Sequence, residues 1–435
     1  MPGWQSVPAG RAEPVWRSRM LVAVIGQGYV GLPLSMAVAS AGHTVLAVES
    51  DPERHAELSE GRSYIVNVDS ADLGRAVDDG RLAPVRDLSA VPPADVYLVA
   101  VPTPVTADRE PDLGPVFGAM RTLAESIRPG ALLVVESTLQ LGGLRDRVRP
   151  YLASLVGDDV AGRIKMAYSP QRIDPGRNLD YRDIPKLIAG LDPAATTAAT
   201  QFYNTVFKDV VPVSSPEVAE FAKLLENTYR FVNVAFVNEM AKLAHTIGVD
   251  FRQVIDAAAS KPFGFMPFYP GPGVGGHCLP NNVHYLRQGW RDGGGTSDVL
   301  TAAIHVNDGM PAYTVRRLEK ALERRGSGLA GARVLLLGLS YKADVADARH
   351  SPAYAVSSEI VARGGQVRLA DPLDPPHAGP ESFVRVELTR RECEEADAVV
   401  LLTDHEGVDY EMVIESSRLV LDCRGRLRGE RVEQL

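Results

Sequence analysis

A chain of 435 residues exceeds what one compact core organises, so two or three domains are expected. Hydrophobic residues at 45% and charged residues at 23% fit an ordinary globular enzyme, and the net charge of −9 opposes a general nucleic-acid or membrane-surface role. Cys278, Cys393 and Cys423 are too few and too scattered for a disulfide framework or a CxxC metal site, which points to a reducing, cytoplasmic setting and no metal.

Residues 1–19 carry Pro, Gly and Arg without an apolar segment, so they read as a flexible extension and not as a signal peptide. No apolar run approaches the roughly 20 residues that span a bilayer. From Met20 apolar strands alternate with helical stretches: Leu21–Ile25, the helical period of Leu32–Ala41, Thr44–Val48, Val96–Val101 and Leu132–Val135. That alternation predicts a parallel α/β sheet.

Pro216–Ile247 reads as one long helix, with Ser215 as cap, Pro216 in the first turn and Gly248 as terminator. Val218, Phe221, Leu225, Tyr229, Val232, Phe236, Met240 and Leu243 recur at helical spacing, as a single buried stripe would. Such a helix is either core or a spine that joins domains and a partner subunit. After Gly326-Ser327-Gly328 the alternation restarts with Val334–Leu337, Gln366–Leu369, Ala398–Leu402 and Leu419–Leu421, a second α/β sheet.

Gly26-Gln27-Gly28-Tyr29-Val30-Gly31 is a GxGxxG directly after a strand and opening a helix. Gly26 permits the tight turn, Gly28 lets backbone approach a pyrophosphate, and Gly31 allows close helix–strand packing. Glu49 closes the next strand, where a carboxylate binds an adenosine ribose and repels a 2′-phosphate, so NAD is expected over NADP. Asp51, a competitor for that role, reads as a cap before Pro52.

Pro270-Gly271-Pro272-Gly273-Val274-Gly275-Gly276-His277-Cys278-Leu279-Pro280 is a rigid loop around one cysteine. A cysteine can add to an aldehyde, giving a thiohemiacetal that a second oxidation turns into a thioester. Alone, such a cysteine is more often a small buried residue than a nucleophile; the loop around Cys278 reverses that balance.

With these motifs the chain resembles the UDP-glucose/GDP-mannose dehydrogenase family from Met20 onward. The matching segments are GQGYVG, Val101–Pro104, Glu136–Thr138, Ser169–Gly176, Ala222–Asn233, Lys261–Cys278 and Gly338–Pro352. The loop before Cys278 is most similar to the branch that oxidises UDP-N-acetylhexosamines at carbon 6. The resemblance implies two Rossmann-like parallel-sheet domains joined by a central helical domain. Expected bounds are 20–205 for NAD, 206–312 for the centre with the cysteine loop and 313–435 for the nucleotide-sugar, in a homodimer. It implies Cys278 as nucleophile, Lys223 and Asn227 at the reacting centre, and Thr138 near the nicotinamide. The i, i+4 spacing puts Lys223 and Asn227 on one side of a helix, where they could stabilise an oxyanion. Further cofactor contacts are implied for Tyr29, Val30, Arg54 and Thr103. Substrate contacts are implied for Arg172, Tyr269, Gly273, Gly275, Lys342 and Arg349.

Three positions depart from the family pattern. Gln171 stands where uronate-forming members carry the glutamate of SPER, and Asn282 where they carry an aspartate four residues after the cysteine. His350 replaces the glutamate of RESP. An amide cannot take a proton, so general-base help to thioester hydrolysis, roughly 10²–10⁴-fold, should be lost. That predicts a two-electron oxidation of a secondary carbon-6 alcohol to a ketone, as in the higher-carbon octose of lincosamide antibiotics. Three alternatives stand beside it. One is the four-electron route of a UDP-hexose or UDP-N-acetylhexosamine to a uronate, with Thr138 and Lys223 carrying the water or His284 replacing the base. The others are an epimerase with bound NAD and a non-catalytic nucleotide-sugar binder.

Overall fold

The computed structural model describes residues 19–65, 67–173, 180–376, 378–380 and 382–435. The expected extension, apart from Arg19, lies outside the described residues, as do Asp174–Gly176 of the SPQRIDPG segment. The chain divides into two compact units. The first runs through Thr103, Leu113–Ile173 and the stretch ending at Glu220; the second holds Pro104–Asp112 and Phe221–Leu435.

In the first unit eight strands form one sheet: β1 (Leu21–Ile25), β2 (Thr44–Val48), β3 (Leu82–Val85), β4 (Val96–Val99), β5 (Leu132–Val135), β6 (Lys165–Tyr168), β7 (Lys186–Gly190) and β8 (Val210–Pro212). Their order is β3-β2-β1-β4-β5-β6-β7-β8, parallel except for β6 against β7. LVAVI, VYLV and LLVV are continuous apolar runs because helices cover both faces of these central strands. Pro84 and Pro212 fall in the two edge strands, where a missing N–H costs no internal ladder bond. The strand order reverses between β1 and β4, which opens the crevice where doubly wound sheets receive ligands.

The second unit repeats the plan with β9 (Arg333–Leu337), β10 (Gln366–Ala370), β11 (Val384–Arg385), β12 (Ala398–Leu401), β13 (Val420–Asp422) and β14 (Val432–Gln434), ordered β11-β10-β9-β12-β13-β14. All its pairings are parallel. The glycine that follows the first strand is left-handed in both sheets, Gly26 at φ 89° and Gly338 at φ 100°. Cβ atoms there would stand 2.9 Å from the Ala100 carbonyl oxygen and 2.6 Å from Thr403 Cβ, so both turns require glycine.

The long helix spans Pro216–Ile247, as the periodicity predicts. Gly248 takes φ 73°, and the Val249 N–H reaches the Ala244 carbonyl at 2.9 Å, a left-handed cap that satisfies the last turn. Of the two readings of its apolar stripe, burial in the core of its own chain is overturned. Phe221, Leu225, Tyr229, Phe236 and Leu243 are exposed, with Leu225 at 55% and Phe236 at 56%, while Leu224, Phe231, Ala235, Val237, Ala241 and Ala244 form the inward face. No described helix is long and apolar enough to cross a membrane.

Candidate active site

The glycine-rich turn of the first unit is built for a phosphate. A Cβ on Gly31 would stand 1.7 Å from the Gly26 carbonyl oxygen, whereas at Gly28 nothing lies within 4 Å. Gly31 therefore serves packing and Gly28 leaves an open approach. The helix Gly31–Ser40 has Val30 at its N-cap and no side-chain cap; the Leu32 N–H is taken by the Gly28 carbonyl at 3.1 Å and Pro33 has none, so the Gly31 N–H is the one this first turn leaves for an anion. Tyr29 and Val30 are half-buried at that turn.

Glu49 is buried at the end of β2 and accepts from the N–H groups of Gln27 (3.2 Å) and Asp51 (3.0 Å). Its carboxylate thus shapes the turn and retains acceptor capacity for a ribose diol. Asp51 caps the next helix through the Glu53 and Arg54 N–H groups, as its position before Pro52 predicts. Arg54 lies 5.5 Å from the centre of the Tyr64 ring, and the Tyr64 hydroxyl donates to the Gln27 carbonyl at 2.8 Å. Burial, followed by the nearby Glu49 charge, raises the Tyr64 hydroxyl pKa, so this bond persists at neutral pH. Tyr64 was invisible to motif reading, since nothing in its spacing links it to the turn. These features fit a dinucleotide: open backbone at Gly28, the Gly31 N–H at the helix N-terminus and an acid placed for a ribose.

Thr103 is buried after β4, and Thr138 half-buried after β5, both at the carboxyl ends of the central strands. Two residues before Thr138, buried Glu136 accepts from Lys186 Nζ and the Tyr203 hydroxyl. Burial pulls the Lys186 pKa down against the pull of Glu136, and Lys186 lies 5.4 Å from the Tyr203 ring centre. This enclosed pair pins β5 to β7 under the Thr138 segment. Gln171 is held by its own loop: Nε2 donates to the Tyr181 hydroxyl at 2.6 Å, and Oε1 accepts from the N–H groups of Arg172 and Ile173 at 2.7 and 3.1 Å. Arg172 donates to the Pro185 carbonyl at 3.2 Å.

In the second unit Cys278 is exposed as the first residue of the helix Cys278–Asp292. That terminus has no side-chain cap, and its N–H groups favour negative charge on an oxygen bound near the sulfur. Four residues on, Asn282 returns to about the same face (about 40° of rotation), whereas His284 is turned away by about 120°. His284 is therefore no direct substitute for a base at Cys278. Burial, then Arg287 and Arg109, lowers its pKa to about 4. His277, beside the cysteine, is likewise lowered to about 4 by burial, then by Arg349 and His350.

The cysteine loop is fixed from two sides. The Gly271 N–H donates to Asn238 Oδ1 of the long helix (3.0 Å), and Asn238 Nδ2 donates to Asn307 (2.9 Å). The Gly276 N–H donates to the Arg349 carbonyl at 2.9 Å. A Cβ on Gly275 would meet Tyr341 Cβ at 2.7 Å and the His350 carbonyl at 2.9 Å; one on Gly273 would meet Pro352 at 3.4 Å. The space these glycines leave open is thus filled by the 341–352 segment, not kept for a ligand at their Cα faces. Arg349 itself is clamped by buried Asp347, whose Oδ2 accepts Nη2 at 2.6 Å. Lys342 is half-buried in the same turn. Tyr269 bonds Asp256 through its hydroxyl (3.3 Å) and carries Arg252 4.7 Å from its ring centre.

Lys223, only 7% exposed, and buried Asn227 share one side of the long helix, so Lys223 is no solvated surface charge. Arg230 donates to Asn227 Oδ1 at 2.9 Å. Among the described residues Asn227 Nδ2 and Asn282 Nδ2 have no hydrogen-bond partner, two buried donors left for something else to accept.

Sequence models of the UDP-glucose/GDP-mannose dehydrogenase family match the chain in three parts: the NAD binding domain over residues 20–207, the central domain over 217–309 and the UDP binding domain over 335–429. The UDP-N-acetyl-D-glucosamine 6-dehydrogenase of Pseudomonas aeruginosa is 34% identical over 354 residues, 81% of this chain and 82% of that protein. The UDP-N-acetyl-D-mannosamine dehydrogenase of Pyrococcus horikoshii is 32% identical over 419 residues, 94% of this chain and 96% of that protein. The solved UDP-D-ManNAc dehydrogenase from Pyrococcus horikoshii superposes with a TM-score of 0.86 at 29% identity, over 95% of this chain and 99% of that one. These names lend no support to the octose expectation. On fold, motif and relatives together, the chain belongs to the UDP-glucose/GDP-mannose dehydrogenase family and is an NAD-dependent nucleotide-sugar dehydrogenase.

Proposed function

We propose that the enzyme oxidises carbon 6 of a UDP-N-acetylhexosamine to the carboxylate in two successive oxidations, alcohol to aldehyde and then, through a Cys278 adduct, to a thioester that is hydrolysed. The observation that carries this reading is the join between Gly276 and Arg349. It ties the exposed thiol at a helix N-terminus to the Lys342–Arg349 segment of the UDP binding domain. The substrate class is taken over from the relatives named above.

Bound NAD, held by the Gly26–Gly31 turn, Glu49, Arg54 and Thr103, supplies the hydride acceptor for each oxidation. Thr138 flanks the nicotinamide. Lys342 and Arg349 take the nucleotide-sugar, with Tyr269 beside them; Gly273 and Gly275 serve the packing of the loop on the 341–352 segment and not, as expected, substrate contact. Lys223 and Asn227 donate to the carbon-6 oxygen and stabilise the alkoxide. The Cys278 sulfur then adds to the aldehyde carbon, and loss of the second hydride leaves a thioester that water cleaves to the carboxylate and free thiol. Gln171 is committed to its own loop and Asn282 cannot accept a proton, so hydrolysis is the slow step. We propose a homodimer through the exposed stripe of the long helix, extended by Ile247 at 64% exposure.

A second reading, a single oxidation to a ketone, is favoured by one observation: Asn282 Nδ2, four residues from Cys278, has no partner among the described residues. As a donor it would stabilise a bound carbonyl oxygen without serving hydrolysis. Incubation with NAD and UDP-linked N-acetylglucosamine, N-acetylmannosamine and N-acetylgalactosamine, with product masses, tests the proposal. A uronate supports it. A carbonyl product that resists further oxidation, or no turnover of any of the three, refutes it.

A further inference from the structure

The second sheet carries an acid where the first carries Glu49. Asp371 directly follows β10, as Glu49 follows β2. Its use differs. Oδ2 accepts from the N–H groups of Leu339 (2.7 Å) and Ser340 (2.8 Å) and from His405 Nε2 (3.2 Å), and Oδ1 accepts from the Leu373 N–H (2.9 Å). A carboxylate offers about four lone-pair sites, so Asp371 is filled by its own chain and shapes the turn after β9.

The far end of that turn is Asp344, a non-glycine residue at φ 59°. The left-handed conformation is unfavourable for such a residue and persists only where the surroundings impose it. Two bonds do so. The Asp344 N–H donates to His405 Nδ1 at 3.0 Å, and Asp344 Oδ1 accepts the Glu406 N–H at 2.8 Å. His405 is fully enclosed at its side chain. Because Nδ1 accepts a backbone N–H, Nε2 is the ring nitrogen that donates to Asp371, so one imidazole holds both ends of the segment. The Thr403 hydroxyl adds a bond to the Ser340 carbonyl at 2.6 Å, and the Tyr410 hydroxyl fixes the His405 carbonyl at 2.9 Å. Lys342 lies within the segment so clamped, between Ser340 and Asp344. The clamp stands at the carboxyl ends of β9 and β12, where the second sheet reverses its strand order.

We propose that His405 is a positioning residue for nucleotide binding, holding the 339–344 turn, and with it Lys342, through its paired bonds to Asp371 and the Asp344 N–H. The proposal rests on the assignment of this domain to UDP. It places the effect of His405 on the nucleotide-sugar and not on NAD.

Two amides separate the bonds. In His405→Asn the side-chain oxygen can take the place of Nδ1 and accept from Asp344; in His405→Gln the amide nitrogen can take the place of Nε2 and donate to Asp371. Asp371 keeps three backbone donors in either variant, so the Asp344 bond is the one without a substitute. Titration calorimetry of the full chain with UDP, with KM for the sugar and for NAD, reads the outcome. The expected result is UDP affinity within threefold of wild type for His405→Asn, a loss of tenfold or more for His405→Gln and His405→Ala, and an unchanged KM for NAD. Should His405→Ala not fold, the Asn and Gln pair carries the comparison. Wild-type UDP affinity in His405→Gln, or a parallel rise in both KM values, overturns the inference. A wild-type protein that does not bind UDP refutes the assignment of the domain instead.

Discussion

Replacing Gly28 and Gly31 separately by alanine distinguishes a ligand role from a packing role within one six-residue turn. At Gly28 an added Cβ meets nothing within 4 Å and the backbone is not left-handed, so the fold should accept it. The reduced freedom of the unfolded chain should even stabilise the variant by about 0.4–1 kcal/mol. The methyl would instead occupy the approach to the pyrophosphate. Losing one backbone bond to a charged group costs about 1.5–3 kcal/mol, which corresponds to roughly 10- to 150-fold weaker NAD binding. At Gly31 the added atom would stand 1.7 Å from the Gly26 carbonyl oxygen, and helix and strand must separate. Overpacking of that kind costs about 1–3 kcal/mol, a fall of roughly 2–12 °C in melting temperature at about 2–4 °C per kcal/mol. Scanning calorimetry of the apo variants and NAD titration measure both quantities. Wild-type NAD affinity in Gly28→Ala, or a wild-type melting temperature in Gly31→Ala, would refute this division of labour.

Glu49→Ala should narrow the preference for NAD over NADP, seen as converging kcat/KM values; an unchanged ratio would remove Glu49 from the ribose site. Leu225→Glu with Phe236→Glu should convert a dimer to a monomer in light scattering at micromolar concentration, and a wild-type monomer would contradict the proposed interface. Asn282→Asp should speed thioester hydrolysis, up to the roughly 10²-fold lower range of general-base help, and should reduce any Cys278 adduct seen by intact mass. His277 has its folded pKa lowered to about 4, below the ordinary value of 6.5. Between those values the unfolded chain binds the extra proton, so this histidine makes stability fall as pH drops from 6.5 to 4. Urea titrations should therefore show His277→Gln gaining on wild type as pH falls through that window, and a constant difference would contradict the neutral, buried imidazole.

The parts of the fold legible in the sequence are those whose periodicity was undisturbed. Leu21–Ile25, Thr44–Val48, Leu132–Val135 and Pro216–Ile247 have the bounds their patterns predict. β7 was not read, because Lys186 is a charge inside a strand and becomes legible as core only once Glu136 is seen beside it. The core reading of the long helix's stripe failed for a related reason. Helical spacing finds an apolar stripe but does not say whether neighbours of the same chain cover it, and here small alanines line the covered side. Among the candidate site residues, GxGxxG and Glu49 were named from a local motif, and Lys223, Asn227 and Cys278 from the family resemblance. Asn238, Asp347 and His405 were not, since each acts through a backbone group or a partner supplied by folding. His405 meets Asp371 across 34 positions of sequence.

The central claim, two oxidations at one carbon, the second through a Cys278 adduct, is tested most directly by counting NADH formed per UDP-N-acetylhexosamine consumed. The account predicts two NADH per sugar in the wild type and no uronate from Cys278→Ala. One NADH per sugar, or a uronate from the cysteine variant, would contradict it.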